Sequence, residues 1–107
     1  MGHFSVQTTV NGEGLVVAVS GDCDLACRQE LNAALQEAVA KAPVVVVDLS
    51  GVRFLDSSGV HCLVVGYQKA VAEEKVLYAT GAIGVVAHVL DLTGMAGLLA
   101  PPSSEGR

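Results

Sequence analysis

Hydrophobic and polar positions first alternate and then fall into helical spacing along this chain. Phe4, Val6, Thr8 and Val10 alternate with polar or small neighbours, the period of a half-buried strand over residues 4–10. Asn11-Gly12-Glu13-Gly14 follows, and Asn-Gly between two such runs is a strong hairpin signal. Leu15 to Ser20 then reads as the returning strand, antiparallel to the first, with Gly21 ending it. From Leu25 to Ala42 the period becomes helical. Cys27, Leu31, Ala34, Leu35, Ala38 and Val39 share one face, while Arg28, Glu30, Gln36 and Glu37 fall mostly elsewhere. Asp24 is a good N-cap for this helix, and Pro43 stops it.

Val44 to Val47 is a β-branched run, too short for a helix and too apolar for an exposed strand. It predicts a central strand buried on both faces. A helix lying between two strands of one sheet is the crossover of a parallel pair. Asp48 to Leu55 reads as a turn-rich connection. At Asp56-Ser57-Ser58-Gly59 the period changes again, and Val60, Leu63, Val64, Tyr67 and Val71 mark a helix ending near Glu73-Glu74. Lys75 to Thr80 is a further strand, broken by Gly81. Val86, Val89 and Leu90 mark a short helix closed by Thr93-Gly94, and Gly97-Leu98-Leu99 reads as a last short strand.

The serine pair therefore sits where a helix begins. A serine there caps the first turn, with its hydroxyl aimed at backbone N–H groups that have no intrahelical partner. The same place suits a phosphate, because those donors and the helix dipole both favour negative charge. In isolation Asp-Ser-Ser-Gly at a helix start is an N-cap and nothing more; a cap and a modification site are compatible. On the helix that follows, Val60, Leu63, Val64 and Tyr67 suffice to bury one face. Ser58, His61, Cys62 and Val65 remain for the other side, where Cys62 and Val65 suit a docking patch. Covering of this helix on both sides is the competing reading.

A length of 107 residues allows one domain, with a core over about residues 4–99 and a frayed tail at 101–107. With 51% hydrophobic and 16% charged residues, it is a folding sequence and not a disordered one. The net charge of −5, with no basic cluster, argues against nucleic acid and anionic lipid as partners. No apolar run reaches the roughly 18–20 residues that span a bilayer, and residues 1–10 lack the pattern of a signal peptide. Met1-Gly2 does not make a myristoylation signal, since position 6 is Val6. A cytoplasmic protein is expected.

Three cysteines, an odd number, do not make a disulfide framework, and no Cys or His cluster supplies four zinc ligands. They read as small hydrophobes. Cys23 and Cys62 nonetheless lie in segments that fold near Ser57, where oxidation would tune partner binding. His61 has no companion at metal-ligand spacing and reads as surface. Arg53 is positioned to hold Asp56, to meet an acidic partner group, or to be a solvated turn residue. A serine hydrolase would need Gly-x-Ser-x-Gly and a supporting His/acid pair, and Ser57 lacks the first. No nucleotide loop of the Gly-x-x-x-x-Gly-Lys kind occurs.

Asp48-Leu-Ser-Gly-Val-Arg-Phe-Leu-Asp-Ser-Ser-Gly-Val resembles the signature of STAS domains, specifically of the bacterial anti-sigma factor antagonists. There the order is a strand, then D-L-S-x-V-x-F-x-D-S-S-G-L/V, then a helix. Gly21-Asp22-Cys23-Asp24 is similar to the family's G-E-L-D element, with Asp for Glu and Cys for Leu. Leu90 to Leu98 is similar to L-x-x-T/S-G-L-x-x-L/I, with Met95 in the third apolar place. The resemblance runs from about Phe4 to Leu99. It implies an α/β STAS fold, a mixed sheet of four to five strands carrying three to four helices. It also implies a regulator without catalysis or cofactor. Such a regulator binds an anti-sigma factor with serine kinase activity and releases the sigma factor. In that reading Ser57 is the phosphorylated residue and a serine phosphatase restores it. The ATP belongs to the kinase. The partner-facing surface then comprises Asp22, Cys23, Asp24, Asp56, Ser57, Ser58, Gly59, His61, Cys62 and Val65. The alternative within the fold is a STAS domain of an anion transporter or of a larger, stressosome-like sensory assembly.

Overall fold

The hairpin forms as its alternation requires. β1 (Ser5–Asn11) lies antiparallel to β2 (Gly14–Cys23), with Asn11 opposite Gly14 and Ser5 opposite Ser20. Gly12 takes φ +63° in the connection, the positive value that a tight hairpin turn asks of its residues. The computed structural model describes residues 4–12, 14–23 and 27–101. Asp24, expected to cap the first helix, lies outside them. That helix, α1 (Arg28–Lys41), begins later than the expected Leu25. Cys27 stands before it and makes no side-chain cap.

β3 (Val44–Leu55) runs parallel to β2, and α2 (Ser57–Ala72) returns the chain to β4 (Val76–Thr80), parallel to β3. The sheet order is β1-β2-β3-β4. α3 (Gly84–Leu92) and α4 (Met95–Leu98) complete four helices on a four-stranded mixed sheet. The fifth strand expected at Gly97–Leu99 is absent from the described residues, because Met95 to Leu98 close a helical turn. A trace of pairing survives: the Ala79 N–H donates to the Leu99 carbonyl at 2.8 Å.

Two expectations about the middle of the sheet are corrected. β3 is not buried on both faces. Val45, Val47 and Leu49 are buried, whereas Val44, Val46 and Asp48 are only half-buried. The helices cover one face, where Leu31, Leu35, Ala38 and Val39 of α1 and Leu63 of α2 join the strand residues in one core. Nor is Asp48–Leu55 a turn-rich connection. β3 continues through it, because β2 also continues past Gly21 to pair Asp22 with Phe54 and Cys23 with Leu55. The register slips between Ala18 and Ser20 and again between Gly21 and Asp22, and Gly21 takes φ +93°. Irregularities of this kind bend a strand without ending it. Their effect here is positional: the end of β2 is delivered to the start of α2.

Candidate functional site

The site is built where β2 and β3 end and α2 starts. The Asp56 N–H donates to the Cys23 carbonyl at 3.1 Å, which ties the turn to the end of β2. Asp56 itself is extended (φ −104°, ψ −172°), and its carbonyl accepts the first helical bond, from Val60 N–H at 3.0 Å. Its Oδ1 accepts from the N–H groups of Ser58 at 2.9 Å and Gly59 at 3.2 Å. The N-cap is therefore Asp56 and not a serine. Two of the donors expected to await a phosphate are already engaged by this carboxylate.

Ser57, released from capping, is the first residue of α2 and is exposed. Ser58 is half-buried and Gly59 is buried. A Cβ on Gly59 would collide with Leu55 Cδ1 and stand 2.7 Å from Cys23 Sγ, so this turn of helix rests directly on both strand ends. Continuing along α2, His61 is exposed and Val65 half-buried; with Ser57 they form an i, i+4, i+8 stripe on the outward side.

Cys62 is a correction. Expected outward beside Val65, it is 2% exposed, and its Sγ donates to the Arg28 carbonyl at 3.5 Å, because α1 packs against α2 on that flank. Cys23 is likewise fully buried, with its Sγ 2.9 Å from that of Cys27. Burial, followed by the Cys27 contact, pushes the Cys23 thiol well above its ordinary pKa; burial also raises that of Cys62. Protonated, covered thiols are poor nucleophiles, so the idea that oxidation at Cys23 or Cys62 tunes the site loses its footing.

The charges are also arranged differently from expectation. Arg53 pairs with Asp22, Nη2 to Oδ1 at 3.5 Å, and does not hold Asp56. Arg53 is 66% exposed, so this pair orients Asp22 more than it stabilises the fold. Asp22 is half-buried at the end of β2. Thus Asp22, Asp56, Ser57 and Ser58 are brought to one end of the sheet, with His61 and Val65 continuing from it. Gly59, Cys23 and Cys62 form its underside.

Phe54 was missed by sequence reasoning. It is paired with Asp22 across the β2–β3 ladder and is 45% exposed, three residues before Ser57. Treating the segment as a turn hid it, and alternation would not have found it either, since Arg53 and Phe54 are both exposed between buried Val52 and Leu55.

Replacing Asp56 with Ala is expected to cost about 1 kcal/mol, within the ordinary range for a lost N-cap. Asp56→Asn, which keeps an acceptor oxygen, should cost a fraction of that. Urea denaturation of the three proteins checks both; equal losses would mean that charge, and not capping, is what Asp56 supplies.

Comparison with known proteins adds to this geometry. The family described as "Mlab, STAS domain" matches residues 6–100. No curated protein sequence matches the chain. Among solved structures, an anti-sigma factor antagonist from Mycobacterium paratuberculosis is 28% identical, with a TM-score of 0.79 over 97% of this chain and 90% of that one. The Bacillus cell fate determinant SpoIIAA in its phosphorylated form is 17% identical, with a TM-score of 0.70 over 97% and 95%. A sulfate transporter family protein from Wolinella succinogenes is 16% identical, with a TM-score of 0.68 over 79% and 70%. With the family match spanning nearly its whole length, this chain belongs to the STAS domain family.

Proposed function

We propose that this protein is an anti-sigma factor antagonist. In the cytoplasm it binds an anti-sigma factor that is also a serine kinase, and so releases the sigma factor. Phosphorylation of Ser57 ends that binding, and a serine phosphatase restores it. The protein acts as a binding module without catalysis of its own, and the ATP is held by the kinase. The observation that carries this reading is the exposed Ser57 at the first position of α2, on a surface where its neighbours Ser58 and Gly59 turn inward. Support comes from the 28% identical neighbour described as an antagonist; the likeness to the neighbour described in a phosphorylated form, at 17% identity, concerns the fold. The likeness to a transporter protein, at 16% identity, concerns the fold alone.

The switch follows from local charge. A phosphoserine carries about −1.5 to −2 at neutral pH. On Ser57 it stands next to the Asp56 carboxylate, which already occupies the Ser58 and Gly59 N–H groups. The new charge is therefore only partly neutralised by the helix end, and a partner surface fitted to a neutral hydroxyl meets a dense anionic patch. Because Asp56 already organises the turn, the change is one of charge and contact with little refolding. Titration calorimetry of the unphosphorylated protein against a candidate anti-sigma kinase is expected to give a one-to-one complex, with Ser57→Asp as the discriminating variant.

A further inference from the structure

The sheet has two edges, and they are treated differently. At β4 the chain itself lies alongside, with Ala79 N–H donating to the Leu99 carbonyl. At β1, among the described residues, no backbone hydrogen bond reaches the strand from outside its hairpin. Exposed edges in natural proteins are usually blunted by charge, proline, a bulge or shortness. β1 has none of these: Ser-Val-Gln-Thr-Thr-Val-Asn is seven residues long, holds no charged residue and no proline, and keeps an unbroken register with β2. All of it is exposed except Val6, which is half-buried.

We infer that this edge pairs with the same edge of a second copy, joining two four-stranded sheets into one of eight across a two-fold axis at Thr8. The sequence is self-complementary in that register. Antiparallel pairing about Thr8 sets Val6 opposite Val10, Gln7 opposite Thr9 and Ser5 opposite Asn11, so apolar meets apolar and polar meets polar. The backbone phase agrees. Asn11 and Gly14 close a two-residue loop and form a hydrogen-bonded pair, so alternation along the ladder turns the N–H and C=O groups of Val6, Thr8 and Val10 outward. Those three residues are the ones the proposed register sets against one another.

Side chains support the same register. Val10 is 78% exposed and projects on the helix-covered side, as the pairing of Thr8 with buried Val17 requires. Between β1 and α1 lies a groove of about 350 Å³, lined by Thr8, Val10, Leu15, Ala34 and Ala38 together with Glu37 and Lys41, whose charges pair with each other at 2.8 Å. A two-fold axis normal to the sheet sets both α1 helices on the same side, so the two grooves join and the Val6–Val10 pairs close their mouth. β2 separates this edge from β3, at whose end Ser57 stands, so pairing leaves the phosphorylation surface open. The inference is thus independent of the proposed function.

Sedimentation velocity over a concentration series tests it. The parent protein is expected to sediment as a dimer that dissociates on dilution. Thr8→Lys and Thr8→Glu each set like charges face to face on the axis and should each be monomeric, with unchanged circular dichroism. Mixed in equal amounts they should dimerise again, since Lys then opposes Glu. A parent that stays monomeric throughout, or dimers that persist in either folded variant, would overturn the inference. So would a mixture that fails to associate.

Discussion

Ser57→Asp is expected to bind the anti-sigma factor about 100-fold more weakly than the parent, with no loss of folding. Like charges brought together in an interface cost several kcal/mol, and each 1.4 kcal/mol is tenfold in affinity. The variant places a carboxylate beside that of Asp56, at a position where the parent offers an exposed hydroxyl. Folding is spared because negative charge in the first turn of a helix is favourable. Ser57→Ala should retain binding, and Ser57→Asn, similar to Asp in size but neutral, separates charge from shape. Asn binding like the parent, together with weak binding by Asp, is the pattern expected from electrostatics. Tight binding by Ser57→Asp would end the charge mechanism.

The second large effect concerns what holds Ser57 in place. Leu63→Ala is expected to destabilise the fold by about 2–5 kcal/mol, the usual range for such a cavity, out of a total of about 5–15 for a domain. Leu63 is fully buried on the inner side of α2, in the same core as Leu35 and Val47. The neighbouring walls come from a strand and a helix that cannot both collapse into the space. Val65→Ala, half-buried on the outer side, should change stability far less. Guanidinium denaturation with equal slopes distinguishes them; a parent-like midpoint for Leu63→Ala would place this helix face outside the core.

How much of this was legible in the sequence depends on the kind of signal. Period sufficed for the hairpin, for α1 and for the inward residues Val60 and Leu63, because burial on one side leaves an imprint on every turn or every second residue. It failed at Asp48–Leu55, where Asp, Ser and Gly look like a turn. There the continued pairing depends on a slip in β2 far away in sequence, and no local pattern reports a distant ladder. Cys62 was misplaced for a related reason. Its burial is due to α1 crossing the flank of α2, an interhelical contact invisible to the spacing of α2 alone. The cap was read at the right place but on the wrong residue. Asp and Ser both cap well, and only the extended backbone of Asp56 decides between them. Deciding it matters, since a capping serine would have been half withdrawn from a kinase. The last strand gave way to α4 because Met95–Leu98 is too short for its period to distinguish helix from strand.

The most direct test is to incubate the protein with candidate anti-sigma kinases and ATP and map the modified residue by tandem mass spectrometry. The account predicts phosphate on Ser57 and none on Ser58, with labelling abolished in Ser57→Ala. Phosphate on Ser58, or undiminished labelling of Ser57→Ala, would contradict it.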